Sequence, residues 1–287
     1  MNRRLTAVLL VIVAVFAGVS AKSAALKDPK AIIKKAKDRA LSLNSYSYTY
    51  IKEGWDFEMD KTAEQTKSVA GDVAKNPLAK KYSNQVNEVD TSKAKFMKYN
   101  VDIKFMKPYS VQMKITQSDY VPSLLKDAVL TFRSDKDDKV FYVKPRISPL
   151  GIKRAIDSAS GNFLYTPLFI NFMKIDGLMK DAAPVLEGTA KVDGRNAYKI
   201  AFNFPGAKDP KRHPVDYDKW NIPKSVQWKY KEEIDEFARG NVGKVVYFFD
   251  VDTFDLLRSD CLQKNGKEYF HKEWKNFKTN NLSESDF

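Results

Sequence analysis

From Tyr99 to Ile115 nearly every odd position is apolar or aromatic: Tyr99, Val101, Ile103 and Phe105, then Tyr109, Val111, Met113 and Ile115. Most positions between them are polar, and Lys107-Pro108 interrupts the run. Side chains two apart share one face of a strand, so the pattern predicts two half-buried antiparallel strands joined by a tight turn. The alternation recurs in SYSYTYIKE, with Tyr46, Tyr48 and Tyr50 on one face, and in AVLTFRSDKDDKVFYVKP, a hairpin with a charged turn. It returns in GTAKV and in NAYKIAFNFP, where Tyr198, Ile200, Phe202 and Phe204 alternate with Lys199, Ala201 and Asn203. The closing KVVYFFDVDTFDLLRSDCLQKNGKEYFHKEWKNF predicts three strands, turning at Asp252-Thr253 and Asn265-Gly266.

Two stretches carry a helical period instead. Asp28-Pro29 supplies an N-cap and a first-turn proline, and Ile32, Ile33, Ala36, Ala40 and Leu43 recur opposite Lys34, Lys35 and Lys37. In YTPLFINFMKIDGLMKDAA, the residues Leu168, Phe169, Phe172, Met173, Ile175, Leu178 and Met179 make a wide apolar surface. GIKRAIDSASG and KYKEEIDEFARG are expected to be short helical stretches. Residues 55–95, rich in Ala, Lys and acidic groups, read as a surface insertion. The Pro- and charge-rich 207–240 region reads as a second one.

About ten strands in hairpin succession, with helices at the start and middle, predict a mainly β (α+β) fold: a single curved antiparallel sheet forming an open half-barrel. Its N-terminal and central helices would cover the concave apolar face. Parity then assigns Tyr48, Val101, Ile103, Val111, Met113, Leu130, Ile200, Phe202 and Phe249 to the lining of an apolar cavity. Phe169, Phe172, Met173 and Met179 fall on the covering helix, where methionine adapts to irregular apolar guests. The plain alternative is that this helix packs permanently as core.

The first residues add a compartment. Arg3 and Arg4 precede an apolar run from Ala7 to Val19 and a small-residue Val19-Ser20-Ala21 site, the layout of a cleaved export signal over residues 1–21. The run is short for a membrane span, which takes roughly 18 to 20 apolar residues. Removing Arg3 and Arg4 from 49 basic residues leaves 47 against 36 acidic ones, a net charge of +11. Residues 22–287 are expected to form one periplasmic domain without a disulfide, since Cys261 is the only cysteine. The lysines are scattered rather than gathered into an arm. Transient contact with an anionic membrane surface therefore fits better than nucleic acid, beside the plain reading of a solvated basic surface.

In this order the elements resemble the periplasmic lipoprotein carriers and receptors of the LolA/LolB type. The resemblance runs through an N-terminal helix and a tyrosine-rich strand, then KPYSVQMKI, then KVFYVKP after a charged turn. It ends with the closing strands and the tail from Asn281 to Phe287. It implies an open half-barrel whose helices lid an apolar cavity for lipoprotein acyl chains, with no catalytic residues and no cofactor. Inner- and outer-membrane lipoprotein-sorting proteins would be its partners, in outer-membrane biogenesis and transport. It also implies an arginine tying lid to sheet, for which Arg133 is the candidate by its strand-end position. The 55–95 and 207–240 insertions depart from the compact carriers and put the specific sorting role in doubt.

Enzyme readings find little support. His213 precedes Pro214 and His271 lies in a strand, with no second histidine at metal-ligand spacing, and neither G-x-S-x-G nor a P-loop is present. Ser123 to Lys126 fits S-x-x-K without its companion motifs. In DVDTFD, Asp250, Asp252 and Asp255 suggest calcium, but Phe254 occupies a ligand position and the required glycine is missing, so a hairpin turn explains it better. The leading expectation is therefore a non-enzymatic lipid-binding carrier, with no metal. Against it stand an envelope sensor or assembly factor that binds another protein on the same scaffold, and an undetected hydrolase.

Overall fold

The computed structural model describes residues 26–55, 96–119, 125–146, 151–156, 164, 166–205, 217–227 and 242–287. The expected export signal, nearly all of the expected 55–95 insertion, the KYKEEIDEFARG stretch, His213 and Ser123 lie outside the described residues. Eleven strands form one open antiparallel sheet: β1 (Ser45–Trp55), β2 (Phe96–Met106), β3 (Ser110–Ser118), β4 (Val129–Arg133), β5 (Val140–Lys144), β6 (Ile152–Ala155), β7 (Val185–Val192), β8 (Arg195–Asn203), β9 (Val242–Asp250), β10 (Leu256–Gln263) and β11 (Glu268–Thr279). Among the described residues three helices accompany it: α1 (Pro29–Ser42), α2 (Phe169–Asp181) and the single turn α3 (Lys224–Gln227).

The expected hairpins are present. In the first, Ile103 sits opposite Met113 and Phe105 opposite Val111. Helix α1 begins as its sequence dictates, with the Asp28 side chain accepting from Lys30 N at 3.0 Å and Pro29 in the first turn, and it buries Ile32, Ile33, Ala36 and Ala40. One expectation fails. The GIKRAIDSASG stretch is not helical where described: Ile152 to Ala155 forms β6, pairing Val143 with Ile152 and Phe141 with Arg154. A four-residue run is too short for its period to separate helix from strand, and the ladder groups of β5 favour a paired neighbour.

The strand order is β6-β5-β4-β3-β2-β1-β11-β10-β9-β8-β7. The first strand thus pairs with the last, and two meanders join at the centre of the sheet. At that seam Gly54 crosses Phe270 so closely that a Cβ on Gly54 would lie 2.3 Å from the Phe270 Cβ, which only glycine permits. Among the described residues the edge strands are β6 and β7, which follow one another in the strand succession. In a flat sheet ten spacings of about 4.8 Å would hold them roughly 48 Å apart. Twist and curvature shorten that distance, and the helical part of the connection packs against the face of the sheet. Helix α2 lies on that connection, so topology places it over the concave side.

Alternation sorts the residues between faces. On β9, Val245, Tyr247 and Phe249 join the main apolar cluster, while Val246 and Phe248 turn to the other side. There they meet Val192, Ala197, Ala201 and Leu257 in a small second cluster. The main cluster takes in α1, α2 and buried residues of nine strands, from Tyr46 through Trp274, as one body.

Candidate functional site

All nine residues assigned to the lining come together on the inner face. Tyr48, Val101, Ile103, Val111, Met113, Leu130, Ile200, Phe202 and Phe249 are each buried and belong to the main apolar cluster. Phe169, Phe172 and Met173 enter the same cluster from α2, and Met179 packs against it half-buried. The helix rests directly on the sheet. Phe172 stacks on Phe249 at 6.1 Å between centroids, and Phe169 meets Phe105 and Tyr109 edge-on at 5.8 and 6.0 Å.

The contact is incomplete at one point. Gly177 lies within α2 and is buried, yet a Cβ built on it would find no heavy atom of the described residues within 4 Å beyond its two chain neighbours and the helix's own nearby backbone. Interiors are close-packed, and carbon atoms in contact sit about 3.5–4.0 Å apart. Among the described residues, nothing therefore packs closely against this point of the covering helix, which is shut off from solvent.

Polar groups fasten the covering segment at its leading end. Tyr109 Oη donates to Leu164 O at 2.8 Å, Tyr48 Oη donates to Thr166 O, and Leu168 N donates to Tyr46 Oη at 2.8 Å. All three tyrosines project from the sheet: Tyr46 and Tyr48 from β1, and Tyr109 from the turn between β2 and β3. Burial pushes the phenols of Tyr46 and Tyr48 well above their ordinary value, so both remain hydroxyls. Leu168 offers no side-chain cap, and the first turn is tightened instead by Ile170 N to Pro167 O at 3.0 Å and Asn171 N to Leu168 O at 3.2 Å. The alternation in SYSYTYIKE marked Tyr46 as inward-facing, but nothing local in sequence marks its partner 122 positions away.

A second fastening lies at mid-helix. Asp176 Oδ2 accepts from Lys37 Nζ of α1 at 2.6 Å and from Lys219 Nζ at 3.3 Å. Burial lowers the Lys37 ammonium below its ordinary value, against the opposing pull of Asp176. The lid is not tied by Arg133. That guanidinium pairs with Asp135 at 2.7 Å and with Glu284 at 3.2 Å, so it holds the C-terminal turn (Glu284–Asp286) instead. The same turn is gripped by Lys104 Nζ on Asp286 Oδ1 at 3.0 Å and by Gln112 Nε2 on Asp286 O at 2.9 Å. An outward position at a strand end looks alike in sequence whichever element it serves.

The polar motifs resolve into local structure. Asp250 Oδ1 accepts from the backbone N–H groups of Asp252 and Thr253 at 2.9 and 2.7 Å, closing the DVDTFD hairpin turn, while Arg195 Nε binds its other oxygen at 2.8 Å. Asp255 is joined to the same turn through Thr253 Oγ1 at 2.7 Å. His271 Nδ1 lies 2.7 Å from Glu268 Oε1. Among the described residues no group of three or more His, Cys, Asp or Glu side chains is placed to hold a metal ion. Nor is any helix long and apolar enough to cross a membrane.

No family model and no curated protein matches the chain. Solved structures do. A LolA superfamily protein from Nitrosomonas europaea is 9% identical, with a TM-score of 0.32 over 91% of this chain and 97% of that one. LprF from Mycobacterium bovis is 10% identical, with a TM-score of 0.43 over 88% and 94%. The Pseudomonas aeruginosa MucA/MucB complex aligns at 11% identity and a TM-score of 0.36, over 89% of this chain and 58% of that one. Likeness at this level carries no functional weight, and function is read from this chain's own side chains.

Proposed function

We propose that the protein is a non-enzymatic periplasmic binding protein that shelters the acyl chains of a lipid or lipoprotein between the inner face of its sheet and helix α2. The observation that carries this reading is the open space at Gly177, a buried position of the covering helix that no described residue packs against within 4 Å. The fastenings of that helix support it, because they are reversible. Three hydroxyl hydrogen bonds contribute about 1 kcal/mol each, and a partly exposed ion pair adds about as much. Acyl burial yields about 0.8 kcal/mol per methylene, so fifteen methylenes gain roughly 12 kcal/mol before ordering costs. A chain lying between sheet and helix also keeps Phe172 and Met173 against hydrocarbon, so their own burial is retained. Binding needs no chemical step.

On this reading residues 1–21 direct export, residues 22–287 act as one domain, and cargo passes to or from lipoprotein-sorting proteins at a membrane surface. A second reading, a sensor or assembly factor for another protein, is favoured by β7. That edge strand is largely exposed, with Val185 at 45%, and among the described residues its only strand partner is β8. Purification from the native envelope followed by mass spectrometry of extracted lipids tests the first reading. Co-purifying lipid or acylated protein is expected. Lipid-free protein that instead holds a stable protein partner overturns it in favour of the second.

A further inference from the structure

Three segments distant in the chain meet at the mid-helix fastening: Lys37 on α1, Asp176 on α2 and Lys219 in the short turn Asp218–Trp220. Both ammonium groups also approach one indole. Lys37 Nζ is 4.7 Å and Lys219 Nζ 5.6 Å from the centroid of the Trp220 ring, within cation–π range. Trp220 is itself buried and stacks on Phe169 at 6.0 Å with an interplanar angle of 16°. Phe169 in turn meets Phe105 and Tyr109 of the inner face. The order from outside inward is a pair of cations, an amphipathic aromatic ring, then continuous apolar surface.

That sequence of environments matches an amphiphile with an anionic head and a hydrocarbon tail. We propose that Lys37, Lys219 and Trp220 form a site for the anionic headgroup, phosphate or carboxylate, of the bound amphiphile, and that Asp176 occupies this site when the covering helix is seated. The proposal rests on the acyl-shelter reading and adds its headgroup chemistry. Asp176 already presents to both lysines one oxygen of the kind such a headgroup would offer. The Lys37 side chain is 15% exposed, and an ammonium so placed needs an anionic partner, so exchange of one anion for another costs little. Exchange also detaches α2 from α1. A headgroup therefore interacts differently with the seated and the released helix, which is the condition for binding to shift the helix.

The test measures binding of decyl phosphate, 1-decanol and inorganic phosphate to the purified protein, below micellar concentrations, by Trp fluorescence and calorimetry. Decyl phosphate is expected to bind about tenfold more tightly than decanol, as a charge-assisted hydrogen bond allows, with inorganic phosphate far weaker than either. Lys37→Gln with Lys219→Gln should bring the two amphiphiles to within twofold of each other. Asp176→Asn should strengthen decyl phosphate severalfold and leave decanol nearly unchanged, a gain that misfolding cannot mimic. Equal affinity for the two amphiphiles in the parent protein, or a preference that survives the double variant, overturns the headgroup site and leaves the acyl reading standing. Inorganic phosphate binding as tightly as decyl phosphate overturns it in favour of a free-anion site. Failure of both amphiphiles to bind overturns the acyl reading itself.

Discussion

Replacing Gly177 distinguishes room from solid packing by the sign of a stability change. In α2, Gly177→Ala removes the glycine penalty of about 0.8–1.0 kcal/mol, and its methyl group meets no described residue within 4 Å beyond its own helix. Gly177→Leu goes further. Leucine keeps most of the helix gain and, if the space continues inward, buries an apolar side chain for about 1.5–3 kcal/mol more. The expected total is a stabilisation of about 2–4 kcal/mol, read from the denaturant midpoint at constant m. In a filled interior the same leucine overpacks and costs about 1–3 kcal/mol. Its four carbons would also take the place of three or four methylenes of a bound chain, weakening acyl binding by about 2.5–3 kcal/mol, or roughly a hundredfold. A destabilised Gly177→Leu, or one that binds decyl chains as well as the parent does, refutes the reasoning.

Tyr46→Phe removes the hydroxyl that accepts from Leu168 N, leaving a buried donor unpaired at a cost of about 1–3 kcal/mol. Hydrogen exchange of the α2 amides should quicken by about 5- to 150-fold with β9–β11 unchanged, and a uniform change across the sheet would count against a separately opening helix. At the β1–β11 seam, Gly54→Ala sets a Cβ against the Phe270 backbone and should cost more than about 2 kcal/mol in a denaturant titration. Acid should destabilise the fold. Burial pushes the Asp250 carboxyl up, but N–H donors of Thr253 and Asp252 and the Arg195 charge outweigh it, and the Lys244 ammonium holds Glu187 low. Both carboxyls thus lie below their ordinary 3.8 and 4.5 in the fold, so their contribution is complete above those values and lost as pH falls through the lower folded ones. Asp260, raised by burial, opposes this trend, and Asp260→Asn should make the loss between pH 5 and 3 steeper. A flat midpoint from pH 6 to 2.5 would contradict this sign.

The inner face was legible because strand periodicity is a local property. Parity alone placed Val101, Ile103, Val111 and Met113 together, and no bulge among them inverts the order. The pairing of β1 with β11 was not legible, since hairpin succession fixes neighbours in sequence and says nothing about which ends meet. Strand β6 was too short to carry a period. Lys37 and Asp176 stand 139 positions apart, so their ion pair follows only once topology has drawn α2 across the sheet. One local clue was present: Asp176 is an acid flanked by Ile175, Leu178 and Met179 in a largely apolar helical stretch, a residue type that seldom lies near a core without a partner.

The most direct test of acyl shelter is a paramagnetic one. A stearic acid carrying a nitroxide near its methyl end is added to methyl-labelled protein, and line broadening is read methyl by methyl. Broadening is expected for Ile103, Met113, Met173 and Leu178, which line the interior on both sides of the proposed chain. Sharp resonances at those four, with broadening confined to an exposed residue such as Leu41, would contradict the central claim.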